Sequence, residues 1–228
     1  MTIRGNRVVA LLPMKAHSER VREKNFRSFN GEPLFRWVLG SLLAIESIDQ
    51  IIINTDARAA LEEKGLVNDG RVHIRDRKPE ICGDTVSMNL VLADDIAHVP
   101  ADIYVMTHTT NPLLRKETIC RAIALYLDGR DRRIADSVFT VNRVQSRFYR
   151  ANGTAVNHDP QRLIRTQDLE PWFEENSNLY VFSAESFAAT NARIGQHPIM
   201  LEMDKTESVD IDDQQSWDLA EALAMYRS

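Results

Sequence analysis

The amino-acid sequence predicts an α/β fold in which a mostly parallel sheet lies between helices. Short apolar runs with the character of buried strands alternate with longer runs whose apolar residues recur at spacings of three and four. This alternation repeats about four times before residue 130, a pattern that places helices on both faces of a parallel sheet. A cluster of basic residues follows the first strand-like run, at the edge of the sheet where α/β proteins usually bind ligands.

The first half of the chain contains the four predicted strand–helix units. Strands are predicted at 8–12, 51–53, 72–74 and 103–106, because these runs are short, apolar and rich in β-branched residues. The four predicted helices are one opened by Pro33, one at 57–64 stopped by Gly65, one capped by Asp84 or Thr85, and one at 116–127 ended by Asp128-Gly129.

The second half is less periodic. Strands are predicted at 138–141, 147–150, 179–182 and 199–203, with Asn152-Gly153 as a hairpin turn, and Trp217 and Ala220 mark a final helix. We interpret about 140–175 as an arm inserted in a single domain spanning 1–228 and as a candidate dimer contact. The alternative is a long surface excursion.

Composition limits the possible partners. The 228 residues carry a net charge of −5, which argues against nucleic-acid or membrane-surface binding because both favour a basic excess. Cys82 and Cys120 lack companions at metal-ligand spacing, so we expect reduced thiols and a cytoplasmic protein. The apolar run near the N-terminus is too short for a signal peptide or a membrane span, and we expect neither.

The segment 11–31 is the first candidate site. It carries five cations within thirteen residues, and several positive charges together with exposed backbone N–H groups are what a triphosphate requires. The five cations are Lys15, Arg20, Arg22, Lys24 and Arg27. The alternative is a solvated turn in which Glu19 and Glu23 pair locally. Neither a P-loop motif nor a dinucleotide-binding glycine motif is present in the sequence.

The second candidate is a pair of carboxylates, Asp210 and Asp212. Residues two apart in an extended segment face the same side, so this pair could share a divalent cation such as Mg²⁺. The alternative is that Asp212 or Asp213 caps the last helix, since Asp212 and Gln215 have capping-box spacing.

Three further polar clusters are candidates for ligand contacts. Arg77 precedes Asp84 and Thr85, and it could contact a phosphate or ribose or could be a surface charge. The second cluster contains His108, Thr110 and Asn111, and it follows a buried strand, a position that favours ligand contact. Its histidine could equally be structural. The third cluster contains Arg165, Gln167 and Asn176.

Together these segments resemble the CMP-sialic acid synthetase (acylneuraminate cytidylyltransferase) family. The family's loop, P-A-R-x-G-S-K-G-[LI]-x-x-K-N, has the same length as the segment 13–25, with matches at Pro13, Ser18, Lys24 and Asn25. Four other family motifs occur in order: S-T-D resembles 54–56, R-P-x-E-x-x-x-D-T resembles 77–85, T-S-P-L resembles 110–113, and the metal motif S-I-D-I-D resembles 208–212.

The resemblance implies a Rossmann-like nucleotide-diphospho-sugar transferase fold and a homodimer with a protruding dimerisation arm. It also implies an enzyme that transfers cytidylate from CTP to a sialic-acid-like nonulosonate, with Mg²⁺ and release of pyrophosphate. By position in the motifs, the implied catalytic residues are Lys24, Asp210 and Asp212, and the last two are the implied metal ligands. The nucleotide site would comprise Pro13, Lys15, Ser18, Arg20, Arg22, Lys24, Asn25, Arg77, Asp84 and Thr85. The acidic substrate would contact His108, Thr110, Asn111, Arg165, Gln167 and Asn176.

The sequence departs from the family motifs at several positions. Glu19 replaces a lysine, His17 and Arg20 replace glycines, and His108 stands where the family has a glutamine. The family's R-P-N-G falls at 174–177, which begins with two glutamates, so the acceptor could be another acid or a phosphonate. A glycosyltransferase and a non-catalytic nucleotide-binding protein are the alternatives from other classes, and an oxidoreductase is disfavoured because the glycine motif is missing.

Overall fold

The computed structural model describes residues 3, 5–18 and 20–227 of the chain. Within this part, a seven-stranded sheet has the order β5-β4-β1-β6-β8-β7-β9, and β2 and β3 form a separate hairpin. The strands are β1 Val8–Leu11, β2 Ser28–Phe29, β3 Glu32–Pro33, β4 Gln50–Thr55, β5 Val72–Asp76, β6 Ile103–Thr107, β7 Ser137–Val144, β8 Trp172–Phe182 and β9 Pro198–Glu202. The α-helices are α1 Leu34–Leu43, α2 Arg58–Glu63, α3 Met88–His98, α4 Lys116–Asp131, α5 Ala184–Thr190 and α6 Gln214–Arg227.

The predicted α/β architecture is confirmed. Strands β5, β4, β1 and β6 are mutually parallel, and β9 is parallel to β7, whereas β8 runs antiparallel to both β6 and β7. The order of the first four strands leaves β1 and β6 side by side at the centre. Their carboxyl ends meet at one edge of the sheet, and this edge is where an open α/β sheet binds its ligands.

Three apolar clusters stabilise this arrangement. The alternating residues of β1 divide between two of them, with Val8 and Ala10 on the face covered by α1 and α4, and Val9 and Leu11 on the face covered by α3. The third cluster joins α6 to the segment 11–31, which we call the basic segment, through Trp217, Phe29 and Val21. This third cluster brings the C-terminal part of the chain next to the carboxyl end of β1.

Two predictions of helix boundaries were wrong. Helix α3 is capped by Ser87, whose hydroxyl oxygen accepts from the Asn89 N–H, and neither Asp84 nor Thr85 is the cap. Helix α4 does not end at Asp128-Gly129 but continues to Asp131. Gly129 is a buried helical position that packs against β9, so its glycine serves close packing and does not terminate the helix.

The segment predicted as an arm, about 140–175, comprises the end of β7, the start of β8 and the connection between them, and we keep the name arm for it. The predicted strand at 147–150 is reduced to one antiparallel bridge, Tyr149 to Ala155, around a turn at Asn152-Gly153 in which Gly153 has a φ of 82°. The other regular structure between residues 144 and 172 is a short 3-10 turn, Thr166–Asp168. Helix α5, which the periodicity did not indicate, follows β8 directly. None of the helices in the described part of the chain has the length and apolar character needed to span a bilayer.

Candidate functional site

A cleft of about 290 Å³ lies at the carboxyl ends of β1 and β6. It is bounded by the basic segment on one side and by the residues that follow β6 on the other. The predicted site residues that line it are Pro13, Lys15, Ser18, Arg20, Lys24, Asn25, Asp84, His108, Thr110 and Asp212. The fold thus brings together side chains that are far apart in sequence, from the segments 13–25, 84, 108–110 and 212.

Asn25 holds the basic segment against the end of β6. Its side-chain amide donates to the Lys15 carbonyl at 2.8 Å, and its Oδ1 accepts from the Thr109 hydroxyl at 2.6 Å. Asp56, which follows β4, accepts from the Ala16 N–H at 2.7 Å. These contacts close the loop into a defined shape, although two of the family's loop glycines are His17 and Arg20 in this chain.

Lys24 lies beside the C-terminal pair of carboxylates. Its ammonium donates to the Ile211 carbonyl at 2.6 Å, so it contacts the backbone between Asp210 and Asp212. Burial lowers the pKa of Lys24, although the two aspartates act in the opposite direction. Arg20 Nη1 lies 3.3 Å from Asp212 Oδ2, which places a second cation at the same point.

The segment that carries the two aspartates is anchored from several sides. The Ile211 N–H donates to the Thr110 carbonyl at 2.8 Å, and Glu207 accepts from the Arg115 N–H at the start of α4. Asp213, and not Asp212, caps α6, because its Oδ1 accepts from the Ser216 N–H while the Ser216 hydroxyl receives the Asp213 N–H. Asp212 is therefore not occupied as a helix cap.

Asp210 is a buried carboxyl group whose pKa is raised although two cations, Lys24 and Arg20, act to lower it. Burial raises its pKa and the nearby Asp212 adds to that effect, while a hydrogen bond from Thr110 opposes it. Among the described residues, its buried Oδ1 has no hydrogen-bond partner. A buried carboxylate oxygen without a partner is costly, and a bound cation would remove that cost. The described residues contain no cluster of three or more His, Cys, Asp or Glu side chains that could hold a metal ion, and the pairing of Asp210 with Asp212 around a cation stays a prediction.

Several predicted nucleotide-binding residues lie outside the lining of the cleft. Arg77 is buried beneath it, where its guanidinium donates to the Met14 carbonyl and to both the carbonyl and side-chain oxygen of Asn54. Its position is that of a support for the strand ends of β1 and β4. Arg22 and Thr85 are exposed and do not line the cleft. Glu19 lies outside the described residues.

Several predicted substrate-binding residues also lie outside the lining of the cleft. Arg165 pairs with Asp168 inside the arm, and the backbone carbonyl of Gln167 accepts from Gln145 there. Asn176 is buried in β8, where its amide oxygen accepts from the Thr140 hydroxyl at 2.7 Å. Asn111 is fully buried behind the cleft, and neither polar atom of its side chain has a partner among the described residues. None of these four side chains lines the cleft.

The structure adds side chains that were not among the predicted site residues. His17, Met88 and Thr109 line the cleft. Arg193, from the loop between α5 and β9, reaches His108 and Glu175 at 3.3 Å each. No periodicity or motif marks Arg193, because its loop is far from the other site segments in sequence and its place follows from the strand order alone.

The fold is shared with solved cytidylyltransferases. A structure of CMP:2-keto-3-deoxy-manno-octonic acid synthetase complexed with CTP matches with a TM-score of 0.67 and 15% identity, covering 97% of this chain and 100% of that one. The 4-diphosphocytidyl-2C-methyl-D-erythritol synthase of Anaerococcus prevotii matches with a TM-score of 0.66 and 12% identity, covering 97% and 99%. At these identities the likeness establishes the fold.

Sequence relatives point to the same group. A Helicobacter pylori protein named pseudaminic acid cytidylyltransferase and UDP-2,4-diacetamido-2,4,6-trideoxy-beta-L-altropyranose hydrolase is 22% identical, over 90% of this chain but 40% of its own length. The CMP-N,N'-diacetyllegionaminic acid synthase of Legionella pneumophila is 24% identical, over 95% of this chain and 96% of its own length. The family model described as Cytidylyltransferase matches residues 9–227, and the chain therefore belongs to the cytidylyltransferase family.

Proposed function

We propose that this protein transfers cytidylate from CTP to a hydroxyl of an acidic sugar of the nonulosonate type and releases pyrophosphate. The observation that carries the proposal is the convergence of Lys15, Arg20, Lys24 and Asp212 in one cleft of a cytidylyltransferase fold. Asp210 does not line this cleft, but it lies next to Ile211, whose carbonyl accepts from Lys24. Relatives named for pseudaminic acid and for diacetyllegionaminic acid support an acidic nine-carbon sugar as the acceptor class.

The cations of the basic segment would bind the triphosphate. Lys15 pairs with the exposed Asp84 at 3.1 Å, and Arg20 pairs with Asp212, so each cation is at the cleft wall and held by a solvent-exposed partner. Exposed ion pairs contribute little to stability, so a triphosphate could replace these partners at small cost. Phosphoryl transfer is accelerated mainly by positioning and charge neutralisation, which such a set of cations supplies.

Asp210 and Asp212 would hold Mg²⁺. The donor set fits, because Mg²⁺ is commonly bound through one or two carboxylates together with substrate phosphates, and the Asp210 Oδ1 lacks a protein partner. When bound, the ion would neutralise developing charge on the transferred phosphoryl group. Lys24, which donates to the carbonyl between the two aspartates, would hold this segment in register with the basic loop.

The decisive experiment measures pyrophosphate release. The wild-type protein is given each of the four nucleoside triphosphates with a panel of nonulosonates, other sugar acids and phosphonates, with and without Mg²⁺. We expect turnover with CTP, an acidic sugar and Mg²⁺. Release of a nucleoside diphosphate would indicate a glycosyltransferase, and CTP binding without turnover on any acceptor would indicate a non-catalytic binding protein. Either result would refute the proposal.

Variants of the aspartates test the metal assignment. Asp210→Asn and Asp212→Asn should each lower turnover by about 100-fold or more, the size expected for loss of a transition-state electrostatic contact. Each should also weaken Mn²⁺ binding measured by electron paramagnetic resonance. Asp213→Asn is the matched control, because it is adjacent and asparagine is an equally good helix cap. Turnover near the wild-type value in the first two variants would remove the pair from the site.

We also propose that the protein forms a homodimer through the arm and that it is a cytoplasmic protein. The arm and the strand that follows it expose large apolar side chains, among them Leu163, Ile164 and Phe173. Cys82 and Cys120 are free thiols, which fits a reducing compartment. Light scattering after gel filtration should give a dimer for the wild type and a monomer for Leu163→Asp with Ile164→Asp. A monomeric wild type would refute the dimer.

A further inference from the structure

His108 contacts a network of polar side chains behind the cleft wall. It follows β6, and its Nε2 lies 3.3 Å from Arg193 Nη1. The other guanidinium nitrogen, Nη2, lies 3.3 Å from Glu175 Oε1, and the guanidinium stacks 3.9 Å above the ring of Tyr180. Tyr180 donates its hydroxyl hydrogen to the same glutamate oxygen. Arg193 is therefore held by charge, stacking and hydrogen bonding in one orientation, and it presents a fixed donor to His108.

The partner of Nε2 decides the tautomer of the imidazole. A guanidinium has only donors, so an imidazole nitrogen that faces it must be an acceptor without hydrogen. A neutral imidazole carries its single proton on the other nitrogen, which here is Nδ1. Burial lowers the pKa of His108 to about 3, and the charges of Arg193 and Lys24, which face the ring, act in the same direction. His108 is therefore a neutral side chain with an Nδ1–H donor.

The Nδ1–H is available to a ligand. His108 lines the cleft together with Lys24 and Thr110. Among the described residues no side chain or backbone group bonds Nδ1, and Nδ1 is not one of the buried polar atoms that lack a partner. We propose, on the basis of the proposed function, that His108 donates a hydrogen bond from Nδ1 to an oxygen of the acidic acceptor, and that Arg193 is the positioning residue that keeps His108 in this tautomer.

This assignment restricts the chemistry of the site in two ways. A neutral imidazole with its proton on the cleft side cannot accept a proton from the attacking hydroxyl, so His108 binds the acceptor and is not a general base. The group it recognises must be a hydrogen-bond acceptor, and a carboxylate oxygen of the sugar acid is the strongest one that such a substrate offers. The glutamine expected at this position in the resembled family would also offer an N–H donor, so the substitution preserves the donor.

The tautomer can be measured without turnover. Imidazole nitrogen shifts of the protein labelled with ¹⁵N-histidine report the tautomer, and His108→Gln assigns the signal. We expect the neutral Nδ1–H form between about pH 5 and 8. Arg193→Met should shift the signal towards the Nε2–H form or towards a protonated ring, and Arg193→Lys should restore it in part because lysine also donates. An Nε2–H or protonated ring in the wild type would overturn the inference.

Kinetics test the contact with the acceptor. His108→Leu should raise the KM of the acidic acceptor by about 10- to 100-fold, the size of one hydrogen bond to a charged group, and leave the KM of CTP nearly unchanged. His108→Asn should retain more activity because its amide can replace Nδ1–H, and His98→Gln, on an exposed part of α3, is the control. An unchanged acceptor KM in His108→Leu would overturn the inference while the proposed function stands. A wild type inactive on every acceptor would refute the proposed function and the substrate contact together, and the nitrogen shifts would still decide the tautomer.

Discussion

Two helical glycines allow a sharp test of the packing on α4. Gly129 lies inside α4, and a Cβ built there would sit 2.9 Å from the Ala135 Cβ and 3.0 Å from the Ile199 Cδ1. Gly40 lies inside α1, where the same added atom meets nothing within 4 Å. Replacing each glycine by alanine therefore compares the same chemical change at a filled and at an open position of a helix.

The expected effects have opposite signs. Alanine in place of glycine stabilises a helix interior by roughly 0.5–1 kcal/mol, and Gly40→Ala should show this gain in full. At Gly129 the two carbon contacts are roughly 0.5–1 Å shorter than the optimum. The Ala135 methyl is bonded directly to the backbone and cannot turn away, so we expect an overpacking cost of about 1–3 kcal/mol. That cost should exceed the helical gain, so Gly129→Ala should lose up to about 2 kcal/mol in its free energy of unfolding.

The assay is equilibrium unfolding in urea, with the slope m compared between variants to confirm that the unfolded states are equivalent. Gly40→Ala should unfold at a higher urea concentration than the wild type and Gly129→Ala at a lower one. If Gly129→Ala is stabilised as much as Gly40→Ala, then the contact of α4 with Ala135 and β9 is not as close as the structure places it, and the explanation of Gly129 fails.

Three further predictions concern the site and its support. Arg77→Met should lower the free energy of unfolding, measured in urea, by about 2–4 kcal/mol, because it removes charged hydrogen bonds to the Met14 carbonyl and to Asn54. CTP affinity should change little. Unchanged stability together with lost CTP binding would instead make Arg77 a nucleotide contact. Lys24→Met should weaken CTP binding in calorimetry by about 10-fold or more, with a far-ultraviolet spectrum like the wild type; equal affinity would remove Lys24 from the nucleotide site. Burial raises the pKa of Asp95 to about 6, so the folded protein retains this proton at a pH where the unfolded chain releases it. The stability associated with that proton is lost as pH rises through about 6, and Asp95→Asn should flatten the pH dependence of unfolding between about pH 4 and 6; an identical profile would contradict this.

Local patterns predicted the parts of the fold that depend on local energetics. The strand at β1 is apolar at every position because both faces of the sheet are covered, and the period of α1 follows from its single buried face. The sequence pattern predicted a wrong helix end where a local helix-stop signal and tertiary packing favour different structures. Gly129 has the local signature of a helix end, but packing against Ala135 and β9 requires a residue without a side chain inside the helix.

Within the site, too, local sequence patterns predicted some features and only tertiary contacts decided others. The spacing of Asp210 and Asp212 was sufficient to suggest a shared cation, and the cations of the basic segment were sufficient to suggest a phosphate site. Sequence could not decide between Asp212 and Asp213 as the helix cap, because the choice depends on which one reaches Ser216. It also could not separate Lys24, which faces the cleft, from Arg22, which faces solvent, because the loop has no regular period.

The sequence by itself determined the class of the fold, the order of its strand and helix units, and the chemical types gathered in the site. These follow from hydrophobic periodicity and from motifs whose residues are close in the chain. Only the tertiary structure decided that Arg77 supports the strand ends, that Arg165 and Gln167 do not line the cleft, and that Arg193 faces His108. The physical reason is that strand order and the apolar cluster around Trp217 set these distances, and both depend on contacts between residues far apart in the chain.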